Sequence, residues 1–175
     1  MSELAVSVVI PSYNSSAWID ETLASVQAQT LPHFEVLVVD DGSTDDTRDR
    51  VRARAAIDPR LRLIEQQNAG VCRARNRGIA EARAPLVCFL DHDDWWYPHK
   101  LQRQCEVMAQ HAEAGVAYSS WIVWNRPAPD APFPSPASLP ITDTPDDVVR
   151  RVLKGEGNDL SDESPPTLDD ENTGV

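Results

Sequence analysis

The regular alternation of short apolar runs with amphipathic segments constrains the fold most. Val6–Ile10, Phe34–Val39 and Leu86–Leu90 are apolar at successive positions, which is typical of strands covered on both faces. Between such runs, residues such as Ile19 and Leu23 follow helical spacing. The order predicts an α/β fold, a mostly parallel sheet with helices on both faces.

The same pattern predicts the elements one by one up to about residue 125. The predicted strands are Val6–Ile10, Phe34–Val39, Leu61–Ile64, Leu86–Leu90 and Val116–Val123, and the predicted helices are Ala17–Gln29, a capped helix after Thr44 to Ala56, Val71–Ala82 and Pro98–His111. The third helix is expected to bury Val71, Ala74, Ile79 and Ala82.

Composition changes after the alternating part ends. Residues 127–175 hold 11 of the 28 acidic residues, 3 of the 16 basic ones and 9 of the 14 prolines. Such a chain buries too little apolar surface to offset its ordering entropy. We expect one globular domain over residues 1–125, a Pro-rich loop and short helix over 126–153, and a disordered acidic tail over 154–175.

Charge and hydropathy exclude several classes of protein. A net charge of −12 argues against a nucleic-acid partner, which requires a basic face. Apolar runs stay far below the ~20 residues of a membrane span, and no signal peptide precedes the first strand. The three cysteines have no CxxC spacing, which fits reduced thiols. We therefore expect a cytoplasmic protein without a transmembrane segment.

Polar residues follow three of the predicted strands. Pro11 to Asn14 follow the first, Asp40-Asp41 the second and Asp91 to Asp94 the fourth. Ligands of open α/β sheets bind at the carboxyl ends of the strands, so these residues predict a ligand site.

The Asp-x-Asp sequence after the fourth strand is a candidate metal site. If the chain stays extended, Asp91 and Asp93 point to the same side, and His92 between them is a spacer. Mg²⁺ or Mn²⁺ carrying a diphosphate would relieve the repulsion between the carboxylates. Alternatively, Asp93 or Asp94 caps the next helix. The acidic pair at the neighbouring strand end favours the metal.

Other polar residues each allow two interpretations. Asp41 is able to accept hydrogen bonds from a base or a ribose, or to serve its Asp-Gly-Ser-Thr turn. Tyr13 either stacks on a base or packs. Arg73, Arg75 and Arg77 either reach phosphates or form a solvated helix face.

Four ordered blocks carry a family resemblance. They are Val-Ser-Val-Val-Ile-Pro-Ser-Tyr-Asn at 6–14, Val-Val-Asp-Asp-Gly-Ser-Thr-Asp-Asp-Thr at 38–47, Asn-Ala-Gly-Val-Cys-Arg-Ala-Arg-Asn-Arg-Gly-Ile at 68–79, and Phe-Leu-Asp-His-Asp-Asp at 89–94. Residues 4–125 thus resemble family 2 glycosyltransferases, which have the Rossmann-like GT-A fold.

The resemblance implies inverting transfer of a sugar from a nucleotide diphosphate sugar, usually UDP-linked, with Mg²⁺ or Mn²⁺. Asp41 would contact the uracil, Asp91 the ribose or the metal region, and Asp93 would be the main metal ligand with Asp91 beside it. The residues that would bind the nucleotide sugar are Pro11, Tyr13, Asn14, Asp41, Asn68, Gly70, Arg75, Asn76, Asp91 and His92.

The chain departs from the family after about residue 155. The family's catalytic base and acceptor site come from a later segment, and nothing around Asp169-Asp170-Glu171 resembles it. The base is unassigned, and the acceptor is an unknown saccharide or lipid-linked molecule. The chain would be truncated or would need a protein partner that supplies the missing half. The alternative function is a truncated donor-binding module with little or no transfer activity, and a peripheral position at the inner membrane face is an alternative location.

Two other classes fit the sequence less well. A phosphatase of the haloacid dehalogenase type would need Thr or Val where Trp95 stands. A nicotinamide-binding domain would need a Gly-rich turn after the first strand, yet no glycine precedes Gly42.

Overall fold

The computed structural model describes residues 3–119. The predictions for the loop and helix over 126–153, the tail over 154–175 and the Asp169–Glu171 cluster lie outside the described residues. Contacts divide the chain into two units, Met1–Glu106 and Val107–Val175. Of the second unit, residues 107–119 are described, and they hold the end of a helix followed by turns and irregular chain.

The described residues form the predicted α/β architecture. The strands are β1 (Val6–Ser12), β2 (Phe34–Asp40), β3 (Leu61–Glu65) and β4 (Leu86–Phe89), all parallel and ordered β3-β2-β1-β4. The helices are α1 (Ile19–Gln27), α2 (Thr47–Ala55), α3 (Val71–Glu81) and α4 (Lys100–Gln110).

The two central strands bury both of their faces, as their continuous apolar runs predict. Val8 of β1 and Val36 of β2 face one core cluster, which includes residues of α1, α2 and α4. Val9 and Leu37 face a second cluster, which includes Ala74 of α3. Side chains alternate along a strand, so each central strand contributes to both clusters.

Helix α3 packs differently from its prediction. Val71 and Ile79 are 49% and 47% exposed, so their predicted burial was wrong, whereas Ala74 and Gly78 are buried. The cause is the close approach of helix and sheet: a Cβ on Gly78 would collide with Cγ1 of Val9. The smallest residues of the helix, not the largest, therefore face the strand.

The predicted strand over Val116–Val123 is not formed in its described part. Residues 116–119 belong to neither a helix nor a strand, and the rest lies beyond the described residues. No helix within residues 3–119 is long and apolar enough to cross a membrane.

The Gly78 contact yields the first prediction. Gly78→Ala should lower the free energy of unfolding by about 1–3 kcal/mol through overpacking, although Ala is ordinarily the better helix former. Denaturant unfolding measures the change. The double variant Gly78→Ala with Val9→Ala should lose less stability than the sum of the two single variants, because the two side chains compete for one space. Additive losses in the double variant would contradict the assigned contact.

Candidate functional site

The candidate site lies at the carboxyl edge of the sheet, where β1 stands between β2 and β4. From β1 the chain adds β2 and then β3 on one lateral side of β1, and the next connection brings β4 to the other side of β1. Such a reversal of strand order opens a crevice at this edge, the usual binding place of α/β sheets. The predicted site residues after β1, β2 and β4 all belong to this edge.

Asp41 connects the end of β2 to the start of α3. Its Oδ1 accepts hydrogen bonds from Gln66 Nε2 at 2.7 Å and from Ala69 N at 2.8 Å, and its Oδ2 accepts one from Gly70 N at 2.8 Å. Gly70 has a φ of +90°, a backbone conformation that glycine adopts without strain. The carboxylate thus caps the amide groups that precede α3.

Burial and hydrogen bonding act on Asp41 in opposite directions. Desolvation raises the pKa of this carboxyl, but the bonds from Gln66, Ala69 and Gly70 favour the charged form and together hold the pKa below its ordinary value. Asp41 is therefore a charged, fixed acceptor at neutral pH. A carboxylate has about four acceptor positions, so three donors leave capacity for a ligand N–H.

The neighbouring Asp40 has another role, because adjacent strand residues point to opposite faces. Asp40 is fully buried, and its Oδ2 accepts a hydrogen bond from Ser43 N at 3.1 Å. Arg48 Nε lies 3.8 Å from the same oxygen. The other oxygen of Asp40 has no hydrogen-bond partner within residues 3–119. Asp40 thus supports the turn after β2 from inside the protein.

The end of β1 contributes Pro11, Tyr13 and Asn14. Pro11 lies in β1 beyond the last residue that β4 pairs, so its missing N–H costs no bond to β4. Its carbonyl faces His92 Nδ1 at 3.2 Å. Asn14 Oδ1 accepts a hydrogen bond from Thr44 N at 2.8 Å, which joins the loops after β1 and β2. Tyr13 is 45% exposed at this edge.

The acidic segment after β4 forms a turn, not the extended chain on which the same-side argument depends. Asp94 N donates to Asp91 O at 3.1 Å across this turn. Asp91 Oδ1 accepts a hydrogen bond from Arg75 Nη2 at 2.7 Å. Asp93 is exposed, and its carboxylate has no hydrogen-bond or ion-pair partner within residues 3–119. The two carboxylates therefore differ: one is paired with α3 and the other is available.

The charges of the acidic turn are only partly compensated. Burial raises the pKa of Asp94, and the negative charges of Asp93 and Asp91 raise it further. Exposed carboxylate oxygens suit a hard divalent cation, and Mg²⁺ is often held by one or two carboxylates plus substrate phosphates. Within the described residues no three His, Cys, Asp or Glu side chains come together as a complete metal site. The donor set fits an ion that the diphosphate helps to hold.

The remaining predicted residues are spread along the segment before α3 and on α3 itself. Asn68 lies against Gly42, where a Cβ would meet the Asn68 backbone nitrogen at 2.9 Å. Asn76 is exposed, and no hydrogen bond of its side chain is found in the described part of the chain. Arg75 lies on the same helix and reaches Asp91 instead.

Sequence reasoning missed Gln66 and Thr22. Gln66 donates the shortest bond to Asp41. Thr22 Oγ1 lies 2.8 Å from His92 O and 2.9 Å from Asp94 O, on either side of Asp93. The available signal was a polar stripe on the inward face of α1, where Thr22 and Ser25 lie among Ile19, Leu23 and Val26.

Comparisons with known proteins identify the family. The family described as glycosyl transferase family 2 matches residues 7–128. A Bacillus subtilis glycosyltransferase named for teichuronic acid biosynthesis, TuaG, is 37% identical over 153 residues, which cover 86% of this chain and 59% of TuaG. The chain therefore belongs to glycosyl transferase family 2, which confirms the resemblance. It spans about three-fifths of that relative's length.

Solved structures with similar folds support the same assignment. Staphylococcus aureus TarS 1–349 in complex with UDP-GlcNAc matches with a TM-score of 0.58 and 32% identity, over 62% of this chain and 32% of that one. The mannosyltransferase PcManGT from Pyrobaculum calidifontis, in complex with GDP-Man and Mn²⁺, matches with a TM-score of 0.51 and 34% identity, over 54% of this chain and 29% of that one. The GT-A-like α/β fold is thus confirmed.

The Asp41 contacts predict a pH-dependent stability difference. Asp41→Asn should lower the free energy of unfolding by about 1–3 kcal/mol at pH 7, because an amide replaces an acceptor that faces N–H groups. The pKa of Asp41 is lower in the folded protein than its ordinary value of 3.8, so its contribution is full above that value and lost as pH falls through the folded pKa. The difference between wild type and variant should therefore shrink below about pH 4.

Denaturant unfolding at pH 7 and pH 3 measures this difference. Asp46→Asn is the matched control, because Asp46 is exposed and its side chain has only a distant pairing with Arg50, at 3.9 Å. A constant difference between wild type and Asp41→Asn at both pH values would contradict the charged role of Asp41.

Proposed function

We propose that this chain is the donor-binding part of an inverting glycosyltransferase that uses a nucleotide diphosphate sugar, most readily a UDP-sugar, together with Mg²⁺ or Mn²⁺. The observation that carries the proposal is the exposed carboxylate of Asp93 at the carboxyl edge of the sheet, which has no hydrogen-bond or ion-pair partner among residues 3–119. Asp91 and Asp94 add negative charge to the same turn. A divalent cation would compensate part of that charge, and the diphosphate of the donor would supply further oxygen ligands to the cation.

The nucleotide would lie along the edge from β2 to β4. Asp41 is fixed and charged, and it retains acceptor capacity for an N–H of a base. Tyr13 follows the end of β1 at the same edge of the sheet, is exposed, and offers a ring for stacking. The complexes of TarS with UDP-GlcNAc and with UDP support a uridine donor. PcManGT with GDP-Man supports guanosine as the competing base.

The metal would be held chiefly by Asp93, with Asp91 beside it. When bound, such an ion supplies Lewis-acid neutralisation of the charge that builds on a leaving diphosphate. Arg75 already neutralises part of Asp91, so Asp93 is the stronger ligand of the two. The Mn²⁺ in the PcManGT complex supports an ion of this kind in a related fold.

The catalytic base and the acceptor site are not assigned to any described residue. Transfer with inversion requires an acceptor hydroxyl to attack the anomeric carbon opposite the diphosphate while a base takes its proton. A donor-binding module without transfer of its own is the second candidate, because the site in residues 3–119 accounts for the donor alone. The acceptor is a saccharide or a lipid-linked molecule under the first candidate.

Thermal unfolding of the full chain with UDP, GDP or dTDP, each with Mn²⁺ or with EDTA, tests the donor site. A ligand at 100 times its dissociation constant adds ~2.7 kcal/mol to stability, a rise of roughly 3 °C or more. We expect this rise with UDP and Mn²⁺, and its loss in Asp93→Asn, which removes the ligand charge. Asp46→Asn is the control, because Asp46 is an exposed residue at the start of α2. Its unfolding temperature should rise with UDP and Mn²⁺ as that of wild type does.

The nucleotide that raises the unfolding temperature identifies the nucleobase that the site prefers. An assay of sugar transfer to added acceptors separates the two candidate functions. A rise that is equal in Mn²⁺ and EDTA would contradict metal-dependent donor binding. No rise with any nucleotide, in a protein that unfolds cooperatively, would contradict the proposed donor site.

A further inference from the structure

We propose that Thr22 of α1 is a positioning residue for the acidic turn, and that it fixes Asp93 for metal-dependent donor binding. This inference rests on the proposed function. Thr22 is 1% exposed, and its hydroxyl lies within hydrogen-bond distance of the carbonyls of His92 and Asp94. These carbonyls belong to His92 and Asp94, the residues immediately before and after Asp93 in the sequence.

A hydroxyl has a single proton, so Thr22 shares or alternates it between the two carbonyls. Both accepting oxygens are thereby drawn towards α1. The side chain of Asp93 points away from burial and has no partner of its own within residues 3–119. The backbone contacts on either side are therefore what holds Asp93 in position in the described part of the chain.

The turn requires such a restraint because its charges repel one another. The carboxylates of Asp91, Asp93 and Asp94 belong to one turn, which the hydrogen bond from Asp94 N to Asp91 O closes at 3.1 Å. Arg75 forms an ion pair with Asp91, and no ion pair of Asp93 or Asp94 occurs among residues 3–119. Without a cation, the backbone must hold the carboxylates together, and Thr22 supplies one anchor while the contact between His92 Nδ1 and Pro11 O supplies another.

Thr22 belongs to a stripe of polar residues that binds the backbone of the whole segment after the turn. Ser25 Oγ accepts a hydrogen bond from Trp96 N at 3.2 Å and donates one to Thr22 O at 2.8 Å. Gln29 Nε2 donates to Tyr97 O at 2.8 Å, and Gln29 Oε1 accepts from Leu101 N at 3.0 Å. The stripe thus replaces strand pairing for a segment that has left the sheet, and Thr22 is its member nearest to the carboxylates.

The test is Thr22→Val, which keeps the shape of the side chain and removes the hydroxyl. Titration calorimetry with UDP on the full chain gives the affinity in Mn²⁺ and in EDTA, and the ratio of the two is the gain from metal. We expect wild type to bind UDP more tightly in Mn²⁺ than in EDTA. In Thr22→Val this ratio of affinities should be about five- to tenfold smaller, which corresponds to one hydrogen bond of ordinary strength. Thr22→Ser should restore the gain because it restores the donor.

Amide hydrogen exchange gives a direct readout of the turn in the same variants. Exchange at residues 93–96 should be faster in Thr22→Val and return towards wild type in Thr22→Ser. Ser7→Ala is the control for a loss of stability alone. The buried Ser7 hydroxyl donates to Glu35 and accepts from the Ala84 amide, and neither partner belongs to the acidic turn. This variant should leave the metal gain unchanged. A purely structural role for Thr22 would lower affinity in Mn²⁺ and EDTA alike.

If Thr22→Val does not fold, Ser25→Ala serves in its place. It removes the acceptor of Trp96 N and should reduce the metal gain in the same direction by a smaller factor. A metal gain equal to wild type in either folded variant would overturn the positioning role while leaving the donor site intact. Absence of any metal gain in wild type would overturn the proposed function and the positioning role together.

Discussion

Two-sided burial of β1 and β2 is the constraint on which the site depends. Their apolar side chains fill one cluster on each face of the sheet, so the polar residues of these strands lie near the strand ends, Ser7 and Glu35 at the amino end and Ser12 and Asp40 at the carboxyl end. The strict alternation of side chains then separates Asp40 from Asp41. Asp40 is enclosed on the face of the larger cluster, whereas Asp41 reaches the amides that precede α3. One strand end thus supplies both a support for the turn after β2 and a buried, charged acceptor beside the start of α3.

Hydrogen bonds between side chains and backbone carbonyls organise the acidic turn after β4. The chain leaves the sheet at Phe89, and from there α1 and the end of β1 provide its hydrogen-bond partners. This arrangement leaves the carboxylate of Asp93 without a protein partner in the described part of the chain. A site for a cation and a diphosphate requires such an incomplete set of interactions, because a fully paired carboxylate has little to gain from a metal. Asp91, paired with Arg75, stands between these two conditions.

The sequence predicted the four described strands, their parallel pairing in one sheet with helices between them, and the convergence of polar residues at one edge. These features follow from local patterns that tertiary contacts reinforce. It failed where distance between elements decided the outcome. Val71 and Ile79 are apolar at helical spacing, yet α3 lies so close to β1 that only Ala74 and Gly78 fit between them. Likewise, the prediction that Asp91 and Asp93 point to the same side assumed an extended chain, whereas the chain forms a turn from Asp91 to Asp94.

The sequence by itself determined the fold class, the family and the residues that stand at the strand ends, because apolar periodicity and ordered motifs are written along the chain. Only the tertiary structure decided the state of each carboxylate. Asp41 accepts hydrogen bonds from amides, Asp91 is paired with an arginine 16 residues before it, and Asp93 has no partner in the part of the chain that the structure describes. Those differences depend on groups distant in sequence, and a hydrogen bond or an ion pair exists only when folding brings its partners within about 3 Å.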